Sequence, residues 1–303
     1  MNFLIFLLTV FLVLPIHAAD KTKPFGQLQD EQKYKDYTVR IYRNEAPPPE
    51  TDTNEDHQDG FGCFEILRSG KQVYFQKGFK FKVGNPGDGD TTNKLIEMGR
   101  SITGEKQPNL VVWQWSGGAH CCYAFDIFQI GDTFKFIDHL ETRDGVDSDF
   151  KDLRGDGNLE LVMYDWTFEY WHTSFVFSPA PTVILRFLDH KYRPDLELMH
   201  KPAPTEQHLQ RMAKELKSKF ADAAKFIDDG KWTAPPSLWG KMLDLIYSGN
   251  MDSAWKLWNL SWPTNHPNKE LFLKDFMEEL QTSPYYKDIN QPGFQKGVAS
   301  DKN

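Results

Sequence analysis

The spacing of apolar residues changes once along this chain, and that change sets the fold class. Between residues 61 and 204, hydrophobic residues recur at every second position in short segments: Val73 to Phe75, Phe79-Lys80-Phe81-Lys82-Val83, Leu110 to Trp115, Tyr123 to Ile130, Phe134 to Ile137, Leu161 to Trp166 and Val183 to Leu188. The segments are rich in β-branched and aromatic residues and are separated by Gly, Asp and Asn clusters, which predicts antiparallel strands. Past Pro202 and Pro204 the period lengthens. Leu209, Met212, Ala213, Leu216, Phe220, Ala223 and Ile227 fall three and four apart, on one face of a helix that Gly230 can end. Further helices are predicted from Ser237 to near Gly249, from Asp252 to Leu260 and from Asn268 to Leu280. The expected fold is α+β: an antiparallel β domain over 61–204, then a helical region over 205–290. Residues 291–303 read as a flexible polar tail. Residues 19–60 hold one alternating stretch, Tyr37 to Tyr42, then Pro47-Pro48-Pro49 and an acidic tract, and read as an arm and linker.

The N-terminus speaks to compartment. Residues 3–14 are uncharged and apolar, Pro15 follows, and the chain turns polar at Asp20. With Ile16 and Ala18 at the −3 and −1 positions, residues 1–18 fit a secretory signal peptide, and the expected location is periplasmic or extracellular. The apolar run falls short of the roughly 20 residues a membrane span needs, so the mature chain is expected to have no transmembrane segment. The 35 Lys and Arg against 43 Asp and Glu, a net charge of −8, lean away from nucleic acid as a partner. Three cysteines in 303 residues do not make a small disulfide scaffold. In an oxidising compartment Cys63 can pair with Cys121 or Cys122, or the two neighbours can pair with each other, and one thiol is left over.

An internal similarity runs through the β domain. Ser101 to Val111 aligns with Asp152 to Val162 at a constant offset of 51, and the register extends to Trp115 and Trp166. Upstream, Phe81 to Gly84 matches Phe128 to Gly131 at an offset of 47. Each unit reads as strands, a Gly-containing turn and a buried aromatic strand, giving two propeller-like repeat units. In the second unit, Asp152, Asp156 and Glu160 stand at positions one, five and nine of a loop bent by Gly155 and Gly157. Residues 138–160 hold eight Asp or Glu against three Lys or Arg. Converging oxygens in so acidic a stretch suit Ca²⁺, with Asp152, Asp156, Asn158 (through its carbonyl) and Glu160 as ligands.

These residues resemble the calcium loops of FG-GAP and VCBS-type repeats, which carry Asp-x-Asp-x-Asp-Gly-x-x-Asp/Glu in secreted and cell-surface β proteins. The loop departs from that pattern at Arg154, which replaces the third-position acid and can neutralise Asp152, Asp156 and Glu160 in place of a metal. In the first unit Ser101 replaces the leading Asp and Lys106 replaces a Gly, and the loop is expected to be a metal-free turn.

Ser116-Gly117-Gly118-Ala119-His120-Cys121-Cys122-Tyr123 joins two aromatic strands. With Trp171, Leu245-Ile246-Tyr247-Ser248-Gly249 and Ser283-Pro284-Tyr285-Tyr286, it is similar to a group of uncharacterised secreted bacterial proteins carrying Ser-Gly-Gly-Ala-His-Cys-Cys, a resemblance that implies architecture and export but no reaction. An imidazole lowers the pKa of a nearby thiol, which makes His120 and Cys122 the candidate pair for a thiol enzyme or hydrolase. Neighbours on a regular strand face opposite ways, so His120 and Cys121 would not meet. A zinc site from His120, Cys122 and a distant His139 or His172 lacks a short-spacing ligand pair. The plainer reading is a Gly-Gly turn locked by a disulfide.

Nine Trp and 23 Phe are consistent with a core or with a sugar-stacking face. Leu245 to Trp258 reads as an αα-hairpin about Gly249, resembling a single tetratricopeptide unit. No triad, metal motif or phosphate loop is complete. The expectation is an exported, non-enzymatic binding or surface-interaction protein with a protein or saccharide ligand and one structural Ca²⁺. The alternatives are the His120/Cys122 enzyme and a partner-stabilising or inhibitory envelope protein acting through the helical end.

Overall fold

A computed structural model describes residues 23–44, 61–84, 96–118, 122–145, 147–225 and 234–295. The fold is α+β, with three four-stranded antiparallel sheets followed by helices. The first sheet holds β1 (Gln27–Tyr34), β2 (Tyr37–Arg43), β3 (Gly62–Arg68) and β4 (Lys71–Gly78). The second holds β5 (Lys80–Val83), β6 (Asn109–Trp115), β7 (Tyr123–Ile130) and β8 (Phe134–Arg143), and the third β9 (Asp149–Lys151), β10 (Glu160–Tyr164), β11 (Thr182–Leu188) and β12 (Lys191–Pro194). In each sheet the strands pair in chain order, as successive hairpins. The three sheets do not close into a propeller.

Half of the first sheet comes from the segment expected to be an arm. β1 reads Gln-Leu-Gln-Asp-Glu-Gln-Lys-Tyr and has no buried residue, because it is the edge strand paired only to β2. An edge strand wet on both faces carries no hydrophobic alternation to read, and its charges protect the open edge.

The second sheet lies between two cores. On β6, Leu110 and Val112 face the first sheet, packing with Val39, Ile41, Phe64 and Ile66. The alternate residues, Val111 and Trp113, face the third sheet and the helices. β7 does the same, with Phe128 and Ile130 on one side and Phe125 and Ile127 on the other. Burial on both faces explains why β6 and β7 read as nearly unbroken apolar runs. Phe128, fully buried, meets the rings of Phe64, Tyr74, Phe134 and Phe136. Truncating it to Ala would cost about 3–5 kcal/mol.

The helices are α1 (Leu196–Met199), α2 (Glu206–Lys219), α3 (Pro236–Ile246), α4 (Met251–Ser261), α5 (Lys269–Leu280), α6 (Tyr286–Ile289) and α7 (Pro292–Gln295). Thr205 caps α2 by accepting the His208 N–H, and Leu209, Ala213 and Leu216 form its buried face. The α2 pattern continues as a 3₁₀ segment, Phe220–Lys225, while Ile227 and Gly230 lie outside the described residues. α3 and α4 form a hairpin about Gly249, whose φ of +78° and close approach to His200 Nδ1 (2.8 Å from where a Cβ would sit) leave no room for a side chain.

Two expectations need correction. The first residues of the expected tail belong to the fold: Phe294 is buried, and the Gln295 side chain accepts the Met251 N–H and donates to Ile246 O. Trp166 is not in a strand but in the turn-rich segment after β10, where Trp171 packs against Phe168, Trp239 and Phe272. It joins the sheets to the helices within one core.

Candidate functional site

A cleft of about 260 Å³ opens where the first and second sheets part. β4 supplies Gln76 and Lys77 to one wall, and β6 and β8 supply Gln114, His139 and Glu141 to the other. Phe79 and Trp115, their rings edge to face at 5.2 Å, close one end together with Ser116 and Cys122.

The centre of the site is a carboxylate in an unusual place. Asp126 sits in β7 among Ala124, Phe125, Ile127 and Phe128 and is 1 % exposed. A charge there costs several kcal/mol unless it is paired and hydrogen-bonded. Both oxygens are engaged. His139, its cross-strand partner on β8, places Nδ1 2.7 Å from Oδ1, and Gln114 Nε2 donates to Oδ2 at 3.3 Å. Gln114 Oε1 in turn accepts from Gln76 Nε2 at 3.0 Å, and Gln76 Oε1 accepts from the Tyr74 phenol at 2.8 Å. The chain Tyr74–Gln76–Gln114–Asp126–His139 crosses from the first sheet to the second. Irregularities in the β7–β8 ladder between Tyr123 and Ala124 and between Ile127 and Phe128 flank the Asp126–His139 pair, a common way to re-aim a side chain at a sheet end.

The electrostatics follow from this geometry. The hydrogen bond to Asp126 raises the His139 pKa above the ordinary imidazole range, against the opposing pull of burial. Because a carboxylate only accepts, the proton of neutral His139 resides on Nδ1, and Nε2 is left as an acceptor. No described residue hydrogen-bonds Nε2, and the side chain is 47 % exposed, at the cleft. Burial, with Asp126 adding to it, holds the Tyr74 phenol protonated far into the alkaline range.

The Ser-Gly-Gly segment forms the rim. Ser116 N–H donates to Cys122 O at 3.0 Å and Ser116 Oγ accepts the Cys122 N–H at 2.7 Å. Gly117, at φ +95°, lies against the Phe79 ring, 2.8 Å from where a Cβ would sit. Trp115 Nε1 donates to Gly118 O. Cys122 is disulfide-bonded, and Cys63 is a buried free thiol that takes no part in that bond. Pairing of Cys63 with Cys122 is thereby excluded, and Cys122 offers no thiolate nucleophile. His120 and Cys121 lie outside the described residues. His172 lies beside Trp171, within the turn-rich segment rather than at the cleft.

The acidic loop is organised differently from a converging ligand set. Asp152 accepts the backbone N–H groups of Asp156 and Gly157, Asp156 accepts that of Asn158, and Glu160 accepts that of Leu153. Arg154 turns away from Asp152 and Asp156. Its NH2 group bonds both oxygens of Asp195 at 3.0 and 2.8 Å and Glu197 at 2.9 Å, while its Nε lies 3.8 Å from Glu160. Arg186 approaches Asp156 at 3.7 Å and Glu160 at 4.0 Å. Among the described residues no group of three or more His, Cys, Asp or Glu is placed to hold a metal ion.

Asp126, Gln114 and Gln76 were not among the residues singled out in the sequence. A usable signal was present: Tyr-Ala-Phe-Asp-Ile-Phe-Gln-Ile puts one acid inside an otherwise apolar strand.

The chain is similar to the uncharacterized protein y4bJ of Sinorhizobium fredii (strain NBRC 101917 / NGR234), with 32% identity over 105 residues. That match covers 33% of this chain and 16% of y4bJ, so the chain spans about a sixth of that relative's length. No protein-family model matches the chain, and no solved structure matches it significantly. Among the described residues no helix is long and apolar enough to cross a membrane.

Proposed function

We propose that this is an exported, non-enzymatic binding protein whose ligand seats in the cleft between the first and second sheets. One observation carries the reading. The Gln76–Gln114–Asp126–His139 chain fixes a polar edge at the cleft and leaves His139 Nε2 open on it. Side chains locked by a buried carboxylate lose little freedom on binding, which is what a specific site requires. The thiol enzyme is not favoured, since Cys122 is in a disulfide and offers no thiolate. Export rests on the N-terminal apolar run and on the disulfide, which an oxidising compartment preserves. Calcium has no part in the reading, because the loop carboxylates are engaged by backbone N–H groups and by two guanidiniums.

Screening the full chain against an array of saccharides and peptides, with Gln76→Leu alongside, tests it. Gln76 is on the wall but does not touch Asp126, so its loss should abolish ligand capture and leave the fold intact. Unchanged capture by Gln76→Leu would overturn the assignment of the cleft.

A further inference from the structure

The register of β4 decides which charges the cleft presents, and the inference rests on the reading of the cleft as a binding site. Gln76 pairs with Phe64, which is buried towards the second sheet, so Gln76 faces the cleft. Lys77 pairs with Cys63 and directs its ammonium to the other face of β4. On β8, His139 and Glu141 stand two residues apart, opposite Asp126 and Ala124 of β7, and both line the cleft. Among the described residues, the charge at the cleft is therefore set by Glu141, His139 and, buried behind the imidazole, Asp126.

That set is acidic in either state of the imidazole. An imidazolium only balances Asp126, its hydrogen-bond partner, and Glu141 remains. Glu141 is exposed in the cleft, and no Lys or Arg side chain on the described walls is turned to neutralise it. An anion is repelled there. A bare metal ion lacks a ligand set, since among the described residues no three His, Cys, Asp or Glu are placed to hold one. A neutral hydroxyl leaves the carboxylate uncompensated, whereas a hydrogen bond from an ammonium to a carboxylate is about twice as strong as one between neutral groups. Gln76 adds an acceptor, because its Oε1 takes the Tyr74 phenol on one lone pair and keeps the other.

Size and apolar lining narrow the cation further. The volume of about 260 Å³ lies below the roughly 300–1,000 Å³ of drug-sized pockets, so the occupant is small or is the end of a longer chain. Phe79 and Trp115 at one end offer apolar surface to a methylene stem. We propose that the cleft binds a primary alkylammonium group, the end of a lysine side chain or of a free polyamine. The ammonium donates to the Glu141 carboxylate and to Gln76 Oε1, with its stem along Phe79 and Trp115.

The test is calorimetric titration of the full chain with oligolysine, spermidine, choline, and neutral and uronate oligosaccharides, at about 0.15 M salt to screen the overall charge. Oligolysine or spermidine should bind, and comparing the two tells a side chain from a free polyamine. Choline, which has no N–H to donate, should bind at least about tenfold more weakly. Glu141→Gln should weaken amine binding about fivefold, the upper range for an exposed ion pair, while Glu270→Gln, an exposed acid in the first turn of α5, should change nothing. Gln76→Leu, which puts an apolar branch where the ammonium sits, should abolish amine binding as it abolishes capture. Equal losses in Glu141→Gln and Glu270→Gln, or choline binding as tightly as the amines, would overturn the ammonium assignment. Oligosaccharide binding that Gln76→Leu abolishes would overturn the ligand class and leave the cleft standing. Amine binding that Gln76→Leu leaves unchanged would overturn both. If neither amine binds, the ammonium proposal falls, and the array capture with Gln76→Leu still judges the cleft.

Discussion

The phenol of Tyr247, at the end of α3, donates to the carboxylate of Asp165, just past β10 and 82 residues earlier in the chain. The same oxygen accepts Ser283 Oγ at 2.6 Å, and the other accepts the Thr167 N–H and hydroxyl at 2.9 and 2.6 Å. Asp165 is 4 % exposed, so these donors replace water around a buried charge. The cluster pins the third sheet to the helical region from three segments. Tyr247→Phe removes one donor and keeps the ring, and should lower unfolding free energy by about 1–3 kcal/mol in urea titrations at neutral pH. An unchanged midpoint would show that Ser283 and Thr167 alone satisfy Asp165.

The same phenol sets an alkaline limit. Burial, and then the Asp165 charge, push the Tyr247 pKa far above its ordinary value near 10. The native state therefore keeps a proton that the unfolded chain releases, and stability falls as pH rises beyond the ordinary phenol range. Tyr192 and Tyr285, also buried and also raised, add to that slope. Urea midpoints between pH 8 and 11 should fall less steeply in Tyr247→Phe than in the wild type, and parallel curves would contradict the assignment.

Arg154 should behave as a latch and not as the stand-in for an ion. Its bonds to Asp195 and Glu197 tie the loop before β10 to the start of α1. Thermal melts in excess EDTA and in millimolar Ca²⁺ should coincide, because a ligand held only by the native state would raise the midpoint. Arg154→Ala should cost about 2 kcal/mol. That is less than the roughly 3–5 kcal/mol of a fully buried pair, since Arg186 remains 4.0 Å from both Asp195 and Glu160. A Ca²⁺-dependent rise in the wild type would reinstate Asp152, Asp156, Asn158 and Glu160 as ligands.

How much of this was legible depends on what burial each residue receives. The class α+β could be read because β6, β7 and α2 bury whole faces, and burial leaves periodicity behind. β1 could not, since neither of its faces is buried. The offset of 51 has a structural counterpart: Ile102 N–H donates to Asn109 Oδ1 at 2.9 Å, and Leu153 N–H donates to Glu160 Oε2 at 3.0 Å, both residues of each pair displaced by 51. An amide in one unit and a carboxylate in the other make the same bond, which is why Glu160 in the acidic loop resembled a metal ligand. The cleft was hidden for another reason. Its residues lie on four strands, and only the pairing of β6, β7 and β8 and the meeting of two sheets bring Gln76, Gln114, Asp126 and His139 together.

The Asp126–His139 pair makes a prediction about the protein without ligand. Its hydrogen bond raises the His139 pKa, so the native state binds the imidazole proton more tightly than the unfolded chain does. The stability it contributes is fully present below the ordinary imidazole value near 6.5 and is lost as pH rises through the raised native value. His139→Gln can still donate to Asp126 but cannot titrate. The difference in urea midpoint between wild type and His139→Gln should therefore be largest near pH 5 and shrink towards pH 9. Because His139 is nearly half exposed, solvent screens the pair and the change should be modest. A difference that stays constant across this range would mean that Asp126 is satisfied without the imidazolium.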